Sequence, residues 1–242
     1  MSAAPGGADA PRHAGGPGAA VREGGASIRL HHAPQTRSMR TLWLLHELGV
    51  PFELAERAFD RTLRDADFLA VSPAGRVPSL ELDGVSIIET GAIAEVLCER
   101  FSPEGLGRPP GHPERTGWLV WVHFAETVSQ HAAALTQQHV VLYEDAMRSP
   151  TVMKIEARRL EKCYDAIEGR LADRAHLAGD AFTAADVGVG QAIYMARHFA
   201  RIEGHPALAA WYARITERPA FRASLPGAAR LYQQEFYPPW PT

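Results

Sequence analysis

The chain is poor in cysteine and has no long apolar segment, and each absence excludes a class of protein. Cys98 and Cys163 are the only cysteines among its 242 residues. Because neither lies in a C-x-x-C motif, they do not predict a disulfide framework. No apolar run approaches the roughly 18 residues that a membrane-spanning helix needs. A reducing, cytoplasmic location is therefore expected.

The chain also lacks an excess of positive charge and a metal-binding pattern. Its 25 Lys and Arg residues stand against 28 Asp and Glu, for a formal charge of -3. A nucleic acid partner would normally require a basic patch. The 11 histidines show no spacing of the H-E-x-x-H kind. We therefore expect no metal, no nucleic acid and no membrane partner.

Composition divides the chain into five predicted segments. Residues 1–26 are rich in Ala, Gly and Pro, which is typical of a disordered leader because so little apolar surface is available for burial. Residues 103–111 belong to a stretch dense in Pro and Gly and are predicted to be a linker. The linker separates one domain at 27–102 from another at 112–228, and 229–242 form a tail.

The pattern of apolar residues predicts a different architecture on each side of the linker. Before it, short alternating segments and one helix indicate a strand-helix-strand unit, which implies a parallel pair of strands. The dipeptide Asp83-Gly84 then predicts a hairpin. These elements make a four-stranded mixed α/β sheet. After the linker only helical spacing is found, so an all-α bundle is expected. Its predicted helices include 149–173, with Val152 and Ile155 on the apolar stripe, 183–202 and 206–221.

Five motifs occur in an order that resembles the cytosolic glutathione transferase family, in particular bacterial members related to fungal ones. They are TLWLLHELGVPFEL (41–54), SPAGRVPSL (72–80), ETGAIAEVL (89–97), WVHFAE (121–126) and FTAADVGVG (182–190). The resemblance covers residues 27 to about 225. It implies a thioredoxin-like glutathione-binding domain, a helical domain with a hydrophobic substrate site, and a homodimer.

The resemblance also implies which residues hold glutathione. In the family, the bond corresponding to Val77–Pro78 is cis, and the Val77 backbone pairs with the extended tripeptide like an added strand. Arg76 is a candidate partner for one of the two ligand carboxylates. Glu89 and Thr90 come where a strand gives way to a helix, whose free N–H groups bind carboxylates. Thr90 is alternatively the N-cap of that helix.

The residue that contacts the sulfur of glutathione is a Ser, Tyr or Cys in the family, near the start of the first helix. This chain offers two hydroxyls there, Thr36 and Ser38. Counting back from Gly49 without gaps favours Thr36, and Ser38 stays open. A third interpretation makes both of them helix caps.

The helical domain should supply the surface for a second, hydrophobic substrate. Trp118, Trp121 and Phe124 are the candidates, although aromatic residues at helical spacing more often belong to a core. Thr183 and Asp186 have the spacing of a capping box, which predicts a structural role. The expected function is thiolate attack on a small hydrophobic electrophile. Another glutathione-dependent activity, such as a peroxidase or isomerase, or a non-catalytic binding protein are the alternatives.

Overall fold

The computed structural model describes residues 25–227, 231–232 and 234–237. Nearly all of the predicted leader, and most of the predicted tail, lie outside the described residues. In chain order the elements are β1 (Ile28–His32), α1 (Ser38–Leu48), β2 (Glu53–Glu56), a 3-10 turn (Arg61–Arg64), α2 (Ala66–Val71), β3 (Ser79–Leu82), β4 (Val85–Ile88), α3 (Thr90–Phe101), α4 (Arg115–Thr136), α5 (Pro150–Leu171), α6 (Ala184–Ala196), α7 (Pro206–Thr216) and α8 (Pro219–Ala223).

The strands form the four-stranded mixed sheet that the sequence predicts, in the order β2-β1-β3-β4. The strand β1 pairs in parallel with β2 across the α1 crossover, and β3 pairs antiparallel with both β1 and β4. The hairpin turn between β3 and β4 is also confirmed. Asp83 and Gly84 have φ values of 50° and 83°, the positive values that a two-residue hairpin turn favours.

The helical part confirms the predicted architecture but corrects three details. The helix expected over 183–202 ends at Ala196, and the one expected over 206–221 is divided between α7 and α8. Pro219 opens α8 because proline, which lacks an N–H, is tolerated in the first turn of a helix but not in its interior. Val152 and Ile155, predicted on the buried stripe of α5, are exposed. No helix in the described part of the chain is long and apolar enough to cross a membrane.

The predicted linker at 103–111 is ordered and bonded to both halves of the molecule. Arg108 is buried, and its guanidinium donates to the carbonyls of Gly105 and Gly107 and to Glu114. The carbonyl of Leu106 accepts from Trp118 Nε1 and from the backbone N–H of Ala184, both at 3.0 Å. The borders of the two domains themselves stay a prediction.

A single apolar core runs through the sheet and the helices, and α1 packs against α6 within it. Trp43 of α1 is fully buried at this contact. Gly190 of α6 lies against it so closely that an added Cβ would be 2.5 Å from Ile215 and 3.0 Å from the Trp43 ring. At Gly188 the nearest atom to an added Cβ is 3.4 Å away, an ordinary contact.

We expect Gly190→Ala to destabilise the protein by about 1–3 kcal/mol, because the new methyl group would overpack the core. The matched variant Gly188→Ala should be neutral or stabilising by up to about 1 kcal/mol, since alanine is the better helix former. Chemical denaturation of both variants measures the difference. Equal stability of the two would show that the contact of α1 with α6 is looser than the structure has it.

Candidate functional site

A cleft opens where the loop before β3 meets the start of α3 and the middle of α4. It is lined by five residues for which the sequence predicts glutathione binding: Arg76, Val77, Pro78, Glu89 and Thr90. Arg37, which directly precedes α1, and Glu126, which belongs to α4, complete its charged wall. The structure thus brings together residues that lie up to 89 positions apart, the separation of Arg37 and Glu126.

The loop before β3 is held by serine hydroxyls. Ser72 Oγ donates to the carbonyl of Arg76 at 2.7 Å and accepts from its N–H at 3.2 Å. Ser79 Oγ donates to the carbonyl of Val71 at 2.7 Å. The Val77–Pro78 peptide bond is cis, as the family resemblance implies. Since β3 begins at Ser79, the Val77 peptide lies outside the strand ladder and can pair with an extended ligand.

The start of α3 forms the opposite wall. Glu89 is the N-cap and Thr90 the first helical residue, so Thr90 is not the cap that one interpretation made it. Glu89 has φ 71° and ψ 119°, a conformation that costs a non-glycine residue about 1–3 kcal/mol. The side chain of Glu89 makes no capping bond. The first N–H groups of α3 therefore remain available for an anion in the cleft.

A buried ionic network, which the sequence did not reveal, connects the cleft to α1 and α4. Arg40 is 4% exposed and donates to Thr90 Oγ1 at 2.8 Å, to Ser129 Oγ at 2.9 Å and to the Glu126 carboxylate. Thr90 Oγ1 donates to Glu126 at 2.5 Å. Arg37 reaches the other Glu126 oxygen at 3.1 Å. Thr90 is thus oriented on both sides by charged partners.

The pKa values of this network follow from burial and pairing. Burial lowers the pKa of Arg40, while the adjacent Glu126 opposes that shift. Burial would raise the pKa of Glu126, but Arg40, Thr90 and Arg37 together outweigh it, and the net shift is downward. Glu126 is therefore ionised at neutral pH. The cleft presents charges of both signs to a ligand.

The two candidate hydroxyls at the start of α1 are 2.7 Å apart and differ in access. Thr36 keeps 7% of its surface exposed, whereas Ser38 is fully buried. Thr36 Oγ1 donates to the Ala33 carbonyl at 2.8 Å and accepts from the Ser38 N–H at 3.3 Å. Gln191 of α6 donates to the Thr36 carbonyl at 3.2 Å, which fixes the loop against the helical part. Both residues are buried and neither lines the cleft, although Arg37 next to them does, and Thr36 is the less buried of the two.

None of the three aromatic residues predicted for the hydrophobic substrate lines this cleft. Trp118 is fully buried and bonded to the linker, so its assignment to a substrate surface is wrong. Trp121 and Phe124 pack edge to face, with ring centroids 5.0 Å apart. They lie about 140–160° around α4 from Glu126. Their contact with a second substrate stays a prediction.

Both cysteines are free and buried, and neither has the properties of a reactive thiol. Burial raises the pKa of Cys98 to about 12 and that of Cys163 to about 11. The thiolate is the reactive form of cysteine. Neither side chain is therefore equipped to act as a nucleophile or to form a mixed disulfide at the cleft.

Comparison with known proteins identifies the family. Residues 36–100 match the model of the glutathione S-transferase N-terminal domain, and residues 150–214 match that of the C-terminal domain. A Zea mays glutathione S-transferase 3 is 31% identical over 83% of this chain and 94% of its own length. The chain belongs to the glutathione S-transferase family. The chain is also 29% identical to glutathione S-transferase 3 of Schizosaccharomyces pombe, over 81% of its own length and 85% of that relative.

Solved structures agree with this membership. The glutathione S-transferase of a sphingomonad, solved in complex with glutathione, is 28% identical. It superposes with a TM-score of 0.69 over 81% of this chain and 96% of its own. The expected thioredoxin-like fold, with a helical domain after it, is thereby confirmed for this transferase.

Proposed function

We propose that the protein binds glutathione in this cleft and activates its thiol for transfer to a small hydrophobic electrophile. The observation that carries the proposal is the junction of the unpaired Val77 backbone, the N-terminus of α3 and Thr90 around one cleft. An extended peptide would pair with Val77, and its γ-glutamyl carboxylate would meet the free N–H groups of α3. The Thr90 hydroxyl, which donates to Glu126, would turn its one proton to that carboxylate, while Arg40 keeps Glu126 paired.

The charges of the cleft complement those of glutathione, which has two carboxylates and one ammonium group. Arg76 is exposed at the mouth of the cleft and is the proposed partner of the glycine carboxylate. Glu89 and the ionised Glu126 are placed to accept from the ammonium group. Arg37 and Arg40 balance Glu126, so that the site is not dominated by charge of one sign.

Thr36 is the proposed donor to the sulfur. A free thiol with a pKa of about 8.5 is only a few per cent ionised at neutral pH. Lowering that pKa by about two units requires about 2.7 kcal/mol of preferential stabilisation of the thiolate. One hydrogen bond to a charged group supplies about 1.5–3 kcal/mol. Together with about 0.3–1 kcal/mol from the N-terminus of α1, the hydroxyl of Thr36 can supply this stabilisation without any protein nucleophile.

Transfer is favoured over a disulfide-based reaction because both cysteines are buried and have raised pKa values. No cluster of metal-ligating side chains is found among the described residues, and the proposed mechanism uses none. The identity of the electrophile depends on the shape of the second site. A homodimer and a cytoplasmic location, both expected from the family resemblance and the cysteine content, complete the proposal.

Calorimetric titration with glutathione tests the site. The wild-type protein should bind glutathione saturably in the micromolar to millimolar range. Thr90→Val should weaken binding about tenfold, since one hydroxyl contact to a carboxylate is lost without a change in side-chain size. Thr90→Ser should retain most of the affinity, because serine keeps the hydroxyl.

Thr116→Val is the matched control, because Thr116 is exposed on α4 and lies outside the cleft. Absence of any binding to the folded wild-type protein would refute the proposal and favour a binding protein with another ligand. Equal affinities of Thr90→Val and wild type would place the γ-glutamyl group elsewhere.

A further inference from the structure

Three polar side chains form a hydrogen-bonded chain behind the proposed sulfur site. His32 Nδ1 lies 2.8 Å from Ser38 Oγ, and Ser38 Oγ lies 2.7 Å from Thr36 Oγ1. His32 and Ser38 are 3% and 0% exposed. These hydrogen bonds therefore connect the interior, at the end of β1, to Thr36, which is the least buried of the three at 7% exposure and precedes Arg37 of the cleft.

We propose that His32 is a positioning residue that orients this chain so that Thr36 directs its proton to the sulfur of glutathione. The inference rests on the proposed function of Thr36. His32 does not accept the thiol proton in this proposal. The imidazole donates a hydrogen bond to Ser38 Oγ, and Ser38 Oγ then donates to Thr36 Oγ1.

The number of donors and acceptors among these three side chains supports donation from His32 through Ser38 to Thr36. A serine hydroxyl has one proton to donate and two lone pairs to accept with. Ser38 Oγ accepts from the backbone N–H of Ala33 at 3.1 Å. If His32 Nδ1–H fills the second lone pair, the Ser38 proton goes to Thr36 at 2.7 Å in preference to the Ala33 carbonyl, which is farther away at 3.2 Å. Thr36 then accepts from the Ser38 hydroxyl and N–H, and its own proton is free to turn from the Ala33 carbonyl to a thiolate.

The other tautomer of His32 would reverse the chain. A bare Nδ1 would accept the proton of Ser38. Thr36 would then have to donate to Ser38, and no proton would remain for the sulfur. Because hydrogen bonds in a chain polarise one another, the outward direction also strengthens the last donor. Catalysis thus requires the Nδ1–H form.

The electrostatics of His32 agree with a donor of this kind. Burial lowers the pKa of His32 to about 4, and a hydrogen bond with the Ser38 backbone opposes the shift only in part. The ring is therefore neutral at physiological pH and carries a single proton. In the proposed arrangement His32 only donates through Nδ1–H, and the proton that the thiol loses passes to solvent.

The neighbouring His31 is a natural control. Its side chain points to the other face of the sheet, because successive residues of a strand alternate. His31 Nε2 bonds Glu81 at 2.8 Å, and its Nδ1 accepts from Arg57 at 3.2 Å. It takes no part in the hydroxyl chain.

The matched variants His32→Asn and His32→Gln test the inference. The amide nitrogen of asparagine can occupy the place of Nδ1, whereas that of glutamine extends toward Nε2. The pKa of the bound thiol is measured from its ultraviolet thiolate absorbance, and the Kd for glutathione by calorimetry. We expect His32→Gln to raise the thiol pKa and to reduce kcat about three- to tenfold with little change in Kd. His32→Asn should restore most of that loss, and His31→Asn should leave the thiol pKa unchanged.

The outcomes separate this inference from the one it rests on. If Thr36→Val leaves the pKa of the bound thiol unchanged, the proposed role of Thr36 fails, and that of His32 fails with it. If Thr36→Val raises that pKa while both His32 variants match the wild type, only the orienting role of His32 is wrong. Lower melting temperatures for both His32 variants, with an unchanged thiol pKa, would show a purely structural residue and would also overturn it.

Discussion

Replacing Asp186 with alanine should lower the free energy of unfolding by about 3–5 kcal/mol, among the largest stability effects expected for a single change. The carboxylate is fully buried and accepts from Leu177 N at 3.1 Å, Thr183 N at 2.9 Å and Trp211 Nε1 at 3.0 Å. Alanine would leave these three donors buried without a partner, and each such group costs about 1–3 kcal/mol.

Chemical denaturation of Asp186→Ala beside Asp180→Ala provides the measurement. Asp180 is exposed a few residues earlier, so its replacement should change stability by no more than about 0.5 kcal/mol. Glutathione affinity of the folded fraction should be retained, because Asp186 does not line the cleft. A loss below about 1 kcal/mol for Asp186→Ala would mean that water or a rearranged loop satisfies the three donors.

The role of Asp186 was only partly predictable from the sequence. The capping box is a local pattern of four residues, and the structure confirms it. The bonds from Leu177 and Trp211 come from outside that pattern, the latter from a residue 25 positions away. Local spacing therefore indicated a helix start, while the contribution to tertiary stability depends on contacts that spacing does not contain.

The same distinction separates the predicted from the missed parts of the cleft. Val77, Pro78, Glu89 and Thr90 lie in two short motifs, each of which is a turn or an element boundary with its own local signal. Glu126 contacts Arg40 across 86 positions and Thr90 across 36. One signal was present in the sequence, because Arg40 lies among the apolar residues of α1. A buried arginine requires a carboxylate, although its position cannot identify which one.

Helical periodicity did not predict which apolar residues of the helices are buried and which could contact a ligand. Trp118 has the spacing of a core residue and is one. Val152 and Ile155 are exposed, whereas Met153 and Ala157 in the same turns of α5 are buried. The buried face is therefore rotated from the predicted one, because contacts with neighbouring helices decide which of several apolar positions is covered.

Thr36→Val should reduce kcat/KM about 10- to 100-fold, with glutathione and a chlorodinitrobenzene as the test electrophile. The reason is the loss of one charge-assisted hydrogen bond to the thiolate, worth about 1.5–3 kcal/mol. Valine matches threonine in shape, so the loop at the start of α1 should keep its conformation apart from the bonds to Ala33 and Ser38. The pKa of the bound thiol should rise by about one to two units in parallel.

Thr41→Val is the matched control, since Thr41 is buried in the same helix but does not belong to the hydroxyl chain. It should leave both the activity and the thiol pKa near those of the wild type. Ser38→Ala should have a smaller effect than Thr36→Val, because Ser38 is fully buried and acts only through Thr36. Full activity of Thr36→Val with loss of activity in Ser38→Ala would assign the sulfur to Ser38, and the start of α1 would then have to open on binding. If neither variant loses activity, the thiolate is stabilised without a hydroxyl, and the N-terminus of α1 alone would have to account for it.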